Sequence, residues 1–219
     1  MPSLPGSVFS GAVIRYRAYA TRGLTGQEIG VLVAICWFTF ILSSVFLGGL
    51  VLLFEPQIID RFTGAPHHGA AFAAGLAMLA LVGAYAFGSW LGLRPLKIGS
   101  FQLHYPALPI VARQLLIGPV ELLGAAAIIY FALPEAGNPG YFVVLGVFMV
   151  SFSIGLLSHA PGALGVFEVV FLTGLSDMDP AGVLAALLVF RLFYLIIPLL
   201  IGLGLVLFFE HSQYSRGKG

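Results

Sequence analysis

The chain has 219 residues, of which 59% are hydrophobic and only 9% charged, and its formal net charge is +1. A soluble domain carries about 25% charged residues because its surface must face water, so this composition excludes a water-soluble globule and makes the bilayer the solvent for most of the surface. The near-neutral balance excludes the basic footprint of a nucleic-acid partner, and the single cysteine, Cys36, excludes an internal disulfide framework.

Met1 to Ser10 lacks a basic stretch followed by an apolar core, so no cleavable signal peptide is expected. Residues Leu4 to Tyr19 are mixed, with Pro5-Gly6 and then Arg15 and Arg17, and read as a short half-crossing or interfacial segment. Hydrocarbon about 30 Å thick needs roughly 20 apolar helical residues. Ile29 to Phe54, Gly69 to Leu93, Leu108 to Leu133, Tyr141 to Ser158 and Gly182 to Phe209 are read as five spans. Pro161 to Leu175 is apolar but short, opens with Pro-Gly and contains Glu168. The division predicted is an N-terminal segment over 1–27, a membrane helical bundle over 28–210 and a polar tail over 211–219. The fold class expected is all-α: a polytopic membrane helical bundle of five full spans with short broken or re-entrant helices.

Lys and Arg near span ends set orientation. Arg15, Arg17 and Arg22 precede the first span, and Arg94 and Lys97 follow the second, which places both segments in the cytoplasm. A cytoplasmic tail then requires Pro161 to Leu175 to complete a crossing, and that crossing is favoured over a re-entrant loop. The Pro-Gly pairs at 5–6 and 161–162 each precede a short helix and then a full span, a pattern compatible with an inverted repeat.

Ionisable residues inside spans are the candidates for function. A charge at the bilayer centre costs at least about 2.5–3.5 kcal/mol, so such groups face protein or a wet cavity. Glu168, Glu121 and Arg191 qualify, and Arg191, Tyr194 and Pro198 fall on one helical face. Pro198 removes the hydrogen bond to the Tyr194 carbonyl and predicts a kink there. Glu168 and Arg191 are expected to share a buried site, either as a ligand-binding pair or as a structural pin between two helices. Arg113 shares a face with Glu121 and lies near its helix end, where it can snorkel to headgroups. Pro161, Gly162 and Gly165 start a helix within the membrane, where free N–H groups suit an anion such as a lipid phosphate. A ligand-free packing corner is the alternative. Arg15 and Arg17, interleaved with Tyr16 and Tyr19, serve either as a topological anchor or as a phosphate-binding pair.

No metal site, cofactor or catalytic constellation is expected. The histidines at 67, 68, 104, 159 and 211 are scattered, and no Walker loop, nucleophile elbow or dinucleotide fingerprint is present.

Three stretches resemble one family. Ser10-Gly11-Ala12-Val13-Ile14-Arg15-Tyr16-Arg17-Ala18-Tyr19 with Gly23-Leu24-Thr25 is similar to the "G-A-x-R-Y-R-x-Y … G-L-[ST]" stretch of the lysylphosphatidylglycerol synthase transmembrane region, the flippase part of the bacterial multiple peptide resistance factor. Pro161 to Glu168 resembles its "P-G-G-[IL]-G-x-x-E", and Arg191, Tyr194 and Pro198 resemble its "R-x-x-Y-x-x-x-P". Ala163 stands where the family usually has glycine, the family generally has spans before the Arg-Tyr motif, and the soluble aminoacyl-transferring domain is lacking. The resemblance implies a multi-pass protein of the bacterial inner membrane that binds or translocates phospholipid, including an aminoacylated one. Its implied partners are the phospholipid itself and either a separate synthase chain or a homo-oligomer. Lysyl transfer is not implied, and an accessory subunit of a lipid-modifying synthase is the rival reading.

Overall fold

The computed structural model describes residues 25–92, 96–98, 101–103 and 106–216. Helix α1 (Gly26–Phe54) begins at a capping box: the Thr25 N–H donates to Glu28 Oε2 at 2.8 Å and the Glu28 N–H returns to Thr25 Oγ1 at 3.4 Å. A 3-10 turn (Pro56–Ile58) and a single helical turn, α2 (Asp60–Thr63), form the connection to α3 (His68–Trp90). The backbone then pairs as a short antiparallel hairpin, β1 (Leu96–Ile98) with β2 (Phe101–Leu103), Leu96 opposite Leu103. Helix α4 (Leu108–Ala132) carries proline in its first turn, where the missing N–H costs nothing, and again inside at Pro119. Helix α5 (Tyr141–Leu157) is followed by a 3-10 turn (Pro161–Ala163) and by α6 (Val166–Gly174). Asp179 caps α7 (Pro180–Arg191) by accepting from the Gly182 N–H at 2.9 Å. A wide π turn (Leu192–Ile196) joins α7 to α8 (Ile197–Arg216).

Four helical stretches are long and apolar enough to cross a membrane: Glu28–Phe54, His68–Trp90, Leu108–Ala132 and Pro180–Leu207. Tyr141–Leu157 is a shorter apolar helix. The chain is thus an all-α membrane helical bundle, as the composition requires.

Small residues set the helix spacing. A Cβ on Gly75 would lie 2.9 Å from the Gly49 carbonyl oxygen, so α1 and α3 meet backbone to backbone. A Cβ on Gly118 would lie 1.9 Å from Ser43 Oγ, so α4 packs directly onto the Ser43 side chain of α1. The best-buried cluster lies among α4, α5, α6 and α7, around Phe148, Phe171, Ile129, Leu145 and Leu187.

The segment from Pro161 to Leu175 corrects the favoured reading. It does not complete a crossing. Nine residues rise only about 13 Å, and α6 packs back along α5, with Gly174 against Val147 and Phe62. Its far end is tied to the α1–α3 connection, where Arg61 Nη1 donates to the Gly174 carbonyl at 3.0 Å and to Asp177 at 2.9 Å. Helices α5 and α6 therefore form a re-entrant hairpin open on the Arg61 face. Its turn is deep: His159 lines a cavity with Trp37 and Ile41, which stand about 20–25 Å along α1 from Phe54. Helix α7 then starts on the Arg61 face, with Gly182 beside Pro134, and descends along α4. The C-terminal helix so heads toward the face where α1 begins, the side the charge pattern gives the tail, by a hairpin instead of an extra crossing.

Candidate functional site

The hairpin turn is built from unusual backbone. His159, Gly162, Ala163 and Gly165 have φ of 55°, 62°, 54° and 81°. Glycine visits this left-handed region freely, whereas a residue with a Cβ pays roughly 1–2 kcal/mol there. The turn also abuts α5, since a Cβ on Gly155 would sit 2.8 Å from the Ala163 Cβ.

From this turn α6 begins, and Glu168 lies in its first turn. The carboxylate is fully engaged: Oε2 accepts from the Gly165 N–H at 2.8 Å, and Oε1 accepts from Arg191 Nε at 2.7 Å and pairs with Arg191 Nη2. Both side chains are largely buried, 21% and 15% exposed. Glu168 thus ties the deep end of the hairpin to the last residue of α7. One turn further on, inside the π turn, the Tyr194 hydroxyl donates to Glu121 Oε1 at 3.2 Å. A ring column supports it, with Tyr194 stacked on Phe190 at 5.1 Å and Phe190 on Phe167 at 5.7 Å. Pro198 has no N–H for the Tyr194 carbonyl, and the chain accommodates this by widening: the Ile197 N–H reaches Leu192 O.

The predicted residues thus separate into groups. Glu168, Arg191, Tyr194 and Glu121 come together through two contacts on consecutive turns of one helix. Gly162 and Gly165 shape the turn that presents Glu168, and Pro161 opens its 3-10 segment. Arg113, on the same helix as Glu121, is exposed and has no ion-pair partner among the described residues. Arg15 and Arg17 lie outside the described residues, as does the Pro5-Gly6 half of the suspected repeat.

Two polar arrangements escaped the sequence reading. Gln114, 7% exposed, donates to Thr39 Oγ1 at 3.0 Å and accepts from the Tyr85 hydroxyl at 3.1 Å, joining α4, α1 and α3. Its signal was an amide beside Arg113 in a span otherwise apolar except for that arginine and Glu121. The Arg61–Asp177 clasp, bidentate at 2.9 and 3.1 Å, was signalled only by the lone arginine of one loop and an aspartate in another. That guanidinium, foremost by direct hydrogen bonding, holds the Asp177 carboxyl below its ordinary range. Beside it, the His67 N–H donates to Asp60 and is the main cause holding that carboxyl low, while His68 pairs with the second oxygen.

A separate apolar cavity of about 740 Å³ lies between α1, α3 and α5, lined by Trp37, Ile41, Met78, Met149 and Ser153 and reached by His159. None of the four clustered residues lines it. No group of three or more His, Cys, Asp or Glu side chains suited to a metal occurs among the described residues.

Fold and site define a polytopic helical membrane protein with an ionisable cluster held between a re-entrant hairpin and a disrupted span. No family model matches the chain. Its sequence is similar to slr0712, a protein of Synechocystis sp., 30% identical over 219 residues and covering 97% of this chain and 67% of that one. It is similar to the inner membrane protein YbhN of Escherichia coli, 31% identical over 215 residues, with 94% of this chain and 64% of that one covered. A shorter stretch of 111 residues is 33% identical to the phosphatidylglycerol lysyltransferase of Staphylococcus haemolyticus, covering 45% of this chain and 13% of that enzyme. The chain belongs to the family of the lysylphosphatidylglycerol synthase transmembrane region. It spans about two thirds of the length of the two relatives that it matches nearly end to end.

Proposed function

We propose that the protein binds phospholipid at the hairpin turn and carries the headgroup across the bacterial inner membrane, with the Arg61 face periplasmic. One observation carries the reading: two carboxylates and a guanidinium gather within the spans on Arg191, Tyr194 and their partners, at the tip of a hairpin that does not cross. A purely structural pin would need only Glu168 and Arg191. Glu121 adds a second carboxylate on an exposed stretch of α4, flanked by Val120 at 63% and Ile117 at 66% exposure, and lipid does not tolerate such a group unless it serves something polar. Broken helices meeting near the midplane are the usual setting of carrier sites. The relatives support the lipid reading, because the matched enzymes are named for phosphatidylglycerol.

The test is translocation of fluorescent phospholipid in liposomes containing the purified chain. Transfer is expected for the wild type and its loss for Arg191→Ala and Glu168→Gln, measured under conditions where both variants remain folded. If translocation needs a partner synthase chain, the accessory-subunit reading takes its place. If both variants transport at the wild-type rate, the cluster is not the site.

A further inference from the structure

We propose that the groove between α1, α3 and α5 is a lipid site of its own, holding one acyl chain of a phospholipid whose glycerol and headgroup rest at its deep end, on Trp37 and His159. The site goes beyond the translocation reading and does not depend on it, because none of Glu121, Glu168, Arg191 and Tyr194 lines the groove.

Dimensions decide the kind of occupant. The α1 wall runs from Trp37 to Leu52, about 22 Å along the helix. A volume of about 740 Å³ over that length gives a mean cross-section of about 34 Å². A helix about 10–12 Å across needs about 80–110 Å², so neither a second copy of the chain nor another span seats in it. A methylene chain, its carbons in contact with their neighbours at about 4 Å, needs on the order of 20 Å². One chain fits and two do not. The walls suit it: Phe40, Val45, Met78 and Met149 offer apolar surface, and no Asp, Glu, Lys or Arg lines the groove. Ile41 and Leu157, both exposed, lie along its open side.

Lipid tails are as apolar as these walls, so tail contact alone gives no preference for the groove over the bilayer. The polar end supplies the preference. Trp37 and His159 line the same end, and neither ring has a hydrogen-bond partner among the described residues. The indole N–H only donates, and an imidazole carries at least one N–H in any state, so the pair suits ester and phosphate oxygens. Depth agrees. The span Glu28–Phe54 is about 39 Å long against a hydrocarbon layer of about 30 Å. Trp37, about 14 Å from Glu28, thus lies within about 10 Å of the boundary opposite the Arg61 face, where indole rings gather at lipid headgroups. His159 is held at this end by the hairpin turn, with φ of 55°, a left-handed conformation that residues with a Cβ rarely adopt. The chain then runs from there toward Val51 and Ile58.

The experiment is photo-crosslinking in liposomes of phosphatidylglycerol containing a small fraction of the same lipid with a diazirine at the end of one chain, the adducts being mapped by peptide mass spectrometry. Adducts are expected to concentrate at Val51, Leu52 and Ile58, although Leu116 and Ile117 on α4 are far more exposed. His159→Ala and Trp37→Phe each remove a donor and should lower the groove adducts several-fold while the α4 adducts, which report an intact fold in the bilayer, stay unchanged. His159→Asn keeps an N–H donor and tolerates the left-handed backbone, so it should retain them. Filling the groove by Ser153→Trp, or more mildly by Ser44→Leu, should abolish them, and native mass spectrometry should count about one retained phospholipid per wild-type chain and none in the filled variants. Adducts spread in proportion to exposure, or groove adducts undiminished in His159→Ala and Trp37→Phe together, overturn the site. Occupancy is read without any transfer of lipid, so failure here leaves the reading of the charged cluster standing.

Discussion

Arg191 gives two donors to one oxygen of Glu168, and the other oxygen satisfies the Gly165 N–H. Removing the cation alone leaves a largely buried carboxylate with nothing to neutralise it, and such half-broken pairs cost more than pairs removed whole. Arg191→Ala should therefore destabilise the fold by about 3 kcal/mol. The double variant Arg191→Met with Glu168→Gln, which keeps an acceptor for Gly165, should cost only about 1 kcal/mol. Reversible unfolding in mixed micelles reads both, and equal losses would mean that the pair contributes no net charge compensation. The turn makes a second residue-scale prediction. Gly155→Ala would place two Cβ atoms 2.8 Å apart, and overpacking of this kind costs about 1–3 kcal/mol. Ala163→Gly removes the clashing atom and relieves a left-handed φ of 54°, so it should stabilise the wild type and largely rescue Gly155→Ala in a double-mutant cycle. Additive losses would place the strain elsewhere. The glycine of the resembled motif at position 163 thus has a physical reason in this backbone, the left-handed φ of Ala163, which the sequence could pose as a departure but not explain.

At the scale of elements, spans were legible because lipid imposes one simple demand, an uninterrupted apolar stretch of sufficient length. Ile29 to Phe54 and Leu108 to Leu133 match their helices to within a few residues for that reason. Likewise, Arg191, Tyr194 and Pro198 were placed together by helical period alone, and the irregular turn falls where Pro198 removes a donor. The direction of α6 was not legible. Hydropathy is blind to whether nine apolar residues continue or double back, and the decisive contacts, Gly174 with Val147 and Phe62, are long-range. The interhelical amide was hidden for a similar reason. Gln114 is one polar residue beside an arginine, and only the tertiary arrangement brings Thr39 and Tyr85 to it. Hydrogen bonds between membrane helices are worth about 0.6 kcal/mol each. Gln114→Leu should thus cost on the order of 1 kcal/mol in unfolding stability without altering lipid transfer. A loss of transfer at full stability would move this amide from the scaffold to the site.

For the whole molecule, the re-entrant hairpin is held at two ends by different chemistry. The deep end depends on Glu168 and Arg191, largely buried among the helices. The open end depends on the Arg61 clasp in water, where the Asp177 side chain is half exposed. Asp177 titrates below its ordinary carboxylate value because Arg61 favours its ionised form. A depressed folded-state pKa contributes stability that is present above the ordinary value and lost as pH falls through the folded one. Acidification below about pH 4 should therefore loosen the α6–α7 connection first, with Asp60, lowered mainly by the His67 N–H, releasing the adjoining turn in the same window. Hydrogen exchange across 174–179 should accelerate there while α4 and α1 stay protected, and Asp177→Asn should show the faster exchange already at neutral pH. Because the hairpin contributes Glu168 to the site, that variant should also speed the opening of the deep pair. Unchanged exchange around Glu168 would mean that the two ends of the hairpin move independently, and that α6 does not carry motion from the Arg61 face to the Glu168–Arg191 pair.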